Sequence, residues 1–134
     1  MGRIHTWEQF VQSYHCVRNA GFSNINIDLM SALPEQTEEL WEESLRKTAD
    51  LKPEHISAYS LIVEEGTPFY ERYTGKGAVF LPDEETERMM YERTKQILEE
   101  YGYYRYEIPN YAKKGKKCRH NIGYWTGEEY LGLG

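Results

Sequence analysis

The chain of 134 residues is expected to fold as α/β, with parallel strands covered by helices. Two observations predict this class. From Asn24 to Met30 the sequence alternates. Ile25, Ile27 and Leu29 point to one side, and Asn24, Asn26, Asp28 and Met30 to the other, which is the period of a strand. Helical, strand, helical and strand patterns then succeed one another from Thr6 to Ile62. That spacing suits parallel neighbours joined by a right-handed crossover.

Thr6-Trp7-Glu8-Gln9 fits a capping box, with the Thr hydroxyl on the third amide and Gln reaching back. Trp7, Phe10, Val11, Tyr14 and Val17 follow at helical spacing, and Gly21 suits the stop, which places a helix at about Thr6–Ala20. The strand Asn24–Met30 comes next and ends before Pro34. Thr37 caps a second helix, about Glu38–Leu51, whose early Glu38, Glu39, Glu42 and Glu43 favour its positive end. Leu40, Trp41, Leu45, Thr48 and Leu51 form its expected buried stripe, and Pro53 discourages continuation. His55–Ile62, HISAYSLI, is the second strand. Glu64–Pro82 is loop-rich, with a short helical turn near Pro68–Tyr73. Asp83 caps a long helix to about Tyr101, with Met90, Ile97, Leu98 and Tyr101 inward and Gly102 as its stop. Tyr103–Ile108, YYRYEI, reads as a strand, and Lys113–Lys117 as a solvated basic turn. Cys118–Trp125, CRHNIGYW, is dense in chemistry, and Glu128–Gly134 offers no closing element. An internal boundary is expected within Gly75–Asp83.

Composition narrows the function. Twenty-two acidic against 16 basic residues give a net charge of −6, which argues against a general nucleic-acid role. No apolar run approaches ~18 residues, so no transmembrane segment is expected. No basic-then-apolar leader is read, and the expected location is cytoplasmic. Cys16 and Cys118 make no disulfide framework and read as reduced thiols. Twelve Tyr against 4 Phe suit either a surface for a flat or large ligand or an amphipathic core. Asp28, on the polar side of its strand, reads as ligand-binding if the strand belongs to an α/β barrel, and otherwise as a loop cap or an ion-pair partner. His15 and Cys16 are adjacent on a helix, a poor geometry for one metal, and His55 reads as structural. No spacing suits zinc. Two parallel strands cannot close a barrel and leave both edges unpaired. Missing partner strands, or strands from another chain, are therefore expected, and the open edges admit a homodimer.

Longer motifs carry a family resemblance. GRIH (Gly2–His5), AGFSNINIDLMSALPEQT (Ala20–Thr37), PEHISAYSLIVEEGTPFY (Pro53–Tyr70), YEIPNYA (Tyr106–Ala112) and CRHNIGYWTGEEYLGLG (Cys118–Gly134) are distributed along the whole chain. Together they resemble the oxygen-independent coproporphyrinogen III oxidase-like group of radical S-adenosylmethionine (SAM) proteins. Within it they are most similar to the HemW-type haem chaperones. The resemblance implies the later strands of a partial (β/α)6 TIM-like barrel over residues 1–76, and the start of a small α+β C-terminal domain over 77–134. It implies that the parent protein holds SAM and a [4Fe–4S] cluster. The cluster's C-x3-C-x2-C motif is absent from this sequence, so the chain reads as a piece that binds no cluster by itself.

The resemblance also assigns residues. Arg3 and Asp28 match the family's SAM contacts, and Ile62 lies where its backbone nears the adenine. His120, Tyr124 and Trp125 match the H-N-x-x-Y-W signature associated with haem, with Cys118 as a second soft ligand. The implied function is to bind haem and pass it to an acceptor protein. The alternative is a fragment of the oxidase that decarboxylates porphyrinogen propionates. No catalytic residue is assigned, and the chain alone is expected to be inactive.

Overall fold

The computed structural model describes residues 5–74 and 80–132. It holds α1 (Trp7–Asn19), β1 (Asn26–Ser31), α2 (Glu38–Asp50), β2 (His55–Ser60), α3 (Pro68–Tyr73), α4 (Glu84–Glu100), β3 (Tyr104–Arg105), β4 (Asn110–Ala112) and α5 (Arg119–Thr126). Local chemistry sets the helix starts. The Thr6–Gln9 capping box is closed in both directions, at 2.9 and 3.4 Å. The Thr37 hydroxyl accepts from the Leu40 amide at 3.3 Å, and Asp83 Oδ1 from the Thr86 amide at 2.8 Å. Replacing Thr37 with alanine is expected to cost about 1 kcal/mol. Serine should restore most of it, and urea denaturation of T37A and T37S checks this.

The four strands form one open mixed sheet in the order β1-β2-β4-β3. β1 and β2 are parallel, with Asn26 opposite His55 and Ser31 opposite Ser60. β4 lies antiparallel to both β2 and β3. The long strand expected over Tyr103–Ile108 is cut to Tyr104–Arg105, because the chain reverses directly after it. The Asn110 amide donates to Glu107 O at 2.9 Å and the Tyr106 amide to Asn110 O at 3.2 Å. This reversal delivers Asn110–Ala112 to the free side of β2, where Ala58 N–H also reaches Pro109 O at 3.0 Å.

One face of the sheet is apolar. Ile27 is opposite Ile56, and Ile56 opposite Tyr111, so the three share that face. Ile56 and Tyr111 join Trp41, Leu45 and Ala49 of α2, Met90, Ile97 and Leu98 of α4, and Tyr103 in a continuous core. Residues before position 75 and after position 83 therefore share one core. The Trp41 indole N–H donates to Thr94 Oγ1 at 2.9 Å and joins α2 to α4.

Two expected stripes are corrected. Leu40 is 50% exposed rather than buried. Along α1 only Tyr14 is buried, while Trp7 and Val17 are exposed. Helical periodicity identifies a common face but not whether anything covers it. α1 is instead held by polar contacts. Tyr14 Oη donates to Leu51 O at 2.8 Å, Arg18 donates to Lys52 O at 3.0 Å, and Arg18 pairs with Glu54 at 2.8 Å. No helix among the described residues is long and apolar enough to cross a membrane.

Candidate functional site

The other face of the sheet is polar, and the register explains why. Asn26 and Asp28 of β1 alternate away from the core, as do their partners His55 and Ser57 of β2. Asn110 of β4 lies opposite Ser57 and joins them. Hydrogen bonds connect this face in a definite direction. Asn26 Nδ2 donates to Asp28 Oδ1 at 2.7 Å, which turns Asn26 Oδ1 toward His55. That oxygen lies 2.6 Å from His55 Nδ1 and accepts Ser57 Oγ at 3.2 Å. A carbonyl oxygen only accepts, so Nδ1 carries the imidazole proton and Nε2 is free to accept. Tyr106 Oη lies 2.8 Å from Nε2 and takes the Cys118 amide at 3.2 Å. His55 is buried, and burial holds its imidazole below the ordinary 6.5 against the pull of Asp28 and Glu107.

Cys118 is the N-cap of α5, a helix that the sequence pattern does not announce. On a helix the H-N-x-x-Y-W residues divide between two faces. His120 and Tyr124, four apart, stack edge-to-face with centroids 4.9 Å apart. Trp125 points elsewhere: it is 73% exposed, and its indole N–H donates to Glu107 Oε2. Glu107 Oε1 accepts from the Asn110 side-chain amide, while the buried Asn110 Oδ1 has no partner among the described residues.

Glycines fold the chain back over the His120 face. Gly127 ends α5 in the left-handed region, at φ 72°, where a side chain would be strained. The Glu128 amide then donates to Gly123 O at 2.9 Å. A Cβ on Gly123 would stand 3.1 Å from Glu128 Oε2, so the return passes closely over this glycine. Tyr130 packs edge-on against Tyr124 at 5.0 Å. His120, Gly123, Tyr124, Glu128, Glu129 and Tyr130 line a cavity of about 220 Å³. Roomier cavities, of about 250, 350, 360 and 460 Å³, lie elsewhere and contain none of the residues expected to hold SAM or haem.

The structure describes two of the three expected SAM residues. Arg3 lies outside the described residues. Asp28 sits in β1 with its side chain exposed on the polar face. Ile62 lies two residues beyond β2 and is 78% exposed. Sequence reasoning reads His55 as structural without giving its partners and does not single out Tyr106; the two link Asp28 to α5. The available signal was the alternation of HISAYS, which puts His55 and Ser57 on one side. Cys16, on α1, and Cys118 are the chain's two cysteines, and they do not match the thiolate set that holds an iron–sulfur cluster. Among the described residues no group of three or more His, Cys, Asp or Glu side chains is placed to hold a metal ion.

No family model matches the chain. Along all 134 residues it is 42% identical to the "Heme chaperone HemW" of Bacillus subtilis, and 42% to that of Lactococcus lactis. The chain belongs to the HemW family. It spans about a third of the length of the curated relatives it matches, 35% in both of these cases. The HemW protein of Escherichia coli is 35% identical over the whole chain. In structure the HemW-like chain resembles coproporphyrinogen III oxidase (HemN) from Escherichia coli, a radical SAM enzyme, with a TM-score of 0.74 and 25% identity. That likeness covers 93% of this chain and 28% of the oxidase. The expected radical SAM, coproporphyrinogen III oxidase-like relationship therefore holds, with an α/β unit and a mixed sheet.

Proposed function

We propose that this chain is a haem-handling part of a HemW-type chaperone, with His120 and Tyr124 as the haem seat. The observation that carries the reading is the shared face of α5, where His120 and Tyr124 stand together at the mouth of the 220 Å³ cavity. Imidazole is a standard axial ligand of haem iron. The cavity is smaller than the ~300–1,000 Å³ that encloses a small ligand, so one edge of the porphyrin would enter and the rest would stay uncovered. A carrier benefits from this, because its cargo must remain accessible to an acceptor protein. Trp125, on the other side of the helix, serves the haem only indirectly, through its bond to Glu107.

Within this reading residues 1–76 are the late part of a radical SAM barrel and 77–134 the opening of the C-terminal unit. Antiparallel β4 occupies the edge of β2 where a further parallel barrel strand would add, which supports an open, partial barrel. Asp28 would accept from donor groups of SAM, Arg3 would grip its carboxylate, and Ile62 would lend backbone near the adenine. The oxidase alternative rests on a 25% identical structural neighbour, against 42% for the first two HemW relatives.

An anaerobic hemin titration followed by absorption tests the seat. Saturable binding with a shifted Soret band is expected, weakened at least about tenfold in His120→Ala, the equivalent of one 1.4 kcal/mol step. Trp125→Phe should bind nearly as the parent does. Equal hemin binding by the parent and H120A would return His120 to a purely structural role.

A further inference from the structure

We propose that His55 is the positioning residue that sets α5, and with it His120, against the polar face of the sheet. The inference goes beyond the haem reading and rests on it only for the final, haem-binding consequence. Donors and acceptors run in one sense from the helix to the sheet. The Cys118 amide donates to Tyr106 Oη, Tyr106 O–H donates to His55 Nε2, His55 Nδ1–H donates to Asn26 Oδ1, and Asn26 Nδ2 donates to Asp28 Oδ1. Each polar atom named has its complement, and the imidazole has a partner at each of its two nitrogens. Glutamine or asparagine at this position could reproduce one contact but not both.

Two neighbouring side chains meet α5 near its ends. Tyr106 meets its N-cap, and Glu107 meets Trp125 near its end. His55 holds the first, and Asn110 holds the second. Tyr106 also lies edge-on to the His55 ring, with centroids 5.6 Å apart, so the contact is both packed and polar.

The chain favours a neutral imidazole. A proton on Nε2 would turn that nitrogen into a donor aimed at Tyr106 Oη, which already receives the Cys118 amide, and the tyrosine hydrogen would lose its acceptor. Charge and burial act on the ring in opposite directions. Asp28 of β1 and Glu107 of the β3–β4 reversal favour the proton. Burial opposes it and prevails, and Lys117 Nζ stands 5.7 Å from the centre of the neighbouring Tyr106 ring. Glu54, the preceding residue, is engaged by Arg18. Folded His55 thus binds its proton less readily than in the unfolded chain. Its contribution to stability is complete above the ordinary value of 6.5 and declines as the pH falls through the lowered folded value.

Nitrogen–proton NMR of the full chain, titrated from about pH 7.5 to about 5 across the ordinary imidazole range, reads the link directly. In the parent the Cys118 amide and the Trp125 indole N–H should shift together with the His55 ring, while the buried Trp41 indole stays fixed. His55→Gln, whose amide reaches the place of Nε2, should keep the high-pH position of Cys118 and lose its titration. His55→Asn and Tyr106→Phe should show a displaced Cys118 amide at every pH. If H55N fails to fold, seen as loss of the Trp41 signal, H55Q and Y106F still decide. A Cys118 amide that does not titrate in the parent, or titrates unchanged in H55Q, overturns the proposal. Hemin affinity should fall about fivefold in Y106F, the worth of one hydrogen bond. If Cys118 follows His55 yet hemin binds equally to the parent, Y106F and H120A, the positioning role stands and the haem seat falls.

Discussion

Trp41→Ala is expected to destabilise the chain by about 3–5 kcal/mol. Trp41 is 1% exposed and lies between α2 and α4 in the core. Its indole N–H donates to Thr94 Oγ1 at 2.9 Å and to Met90 O at 3.3 Å. Truncation removes the ring's apolar contacts, opens a cavity, and cuts the cross-helix bond that aligns the two helices. Single domains are commonly stable by about 5–15 kcal/mol in total, so this loss is a large share. Urea denaturation followed by circular dichroism measures it. Trp41→Phe, which keeps a ring but loses the donor, should fall between the parent and W41A. A loss under about 1 kcal/mol in W41A, the level of a surface change, would mean that α2 and α4 are held by other contacts.

Glu54→Ala should loosen α1 by about 1.5–3 kcal/mol, the range of hydrogen bonds to charged groups. The Glu54 carboxylate accepts from the Ile25 amide at 3.0 Å and from Arg18 Nη2 at 3.1 Å, and pairs with Arg18 at 2.8 Å. It therefore pins the helix to the start of the strand that follows. Burial works to raise the carboxyl, but the Arg18 bond and the Ile25 amide outweigh it and leave the group below its usual 4.5. A depressed acid stabilises the fold above its unfolded value, and that stability is lost as pH falls through the lowered folded value. The His55 contribution weakens first on acidification, below 6.5, and the Glu54 contribution later, below 4.5. Hydrogen exchange should show faster exchange across Trp7–Asn19 in E54A, with α2 and α4 still protected. Uniform loss of protection would place Glu54 in the global fold instead. E54Q should lose the second acid step.

The local parts of the fold were legible. A capping residue acts on amides within one turn of itself, so Thr6, Thr37 and Asp83 announce their helices in sequence. The alternation around Asp28 identified the strand and its polar side, because the two faces of a strand are a property of the backbone. The parallel β1–β2 pair followed from the crossover rule. The family was readable from long stretches of specific residues, and the HemW relatives agree with it.

Other features were not legible, for identifiable reasons. Trp7, Val17 and Leu40 fall on helical stripes, yet no element among the described residues covers them as the stripe implied. β4 is three residues long, too short for a pattern, and forms because β2 has an open edge. α5 contains Gly123 and has no side-chain hydrogen bond at its cap, so its start carries no helix signal. Its helical form then separates Trp125 from His120 and Tyr124, which a linear motif groups together.

By itself, then, the sequence determined the α/β class, the helix starts, the polar face of β1 and the HemW kinship. Each of these depends on neighbours within a few residues or on a long string of identities. Tertiary structure alone decided that Asp28, Asn26, His55, Tyr106 and Cys118 form one hydrogen-bonded line. Those contacts join residues 29, 51 and 12 positions apart, and a hydrogen bond forms only when two groups come within about 3 Å at the right angle. The parallel register and the reversal before β4 supply that approach, and neither is written in any one stretch of the chain.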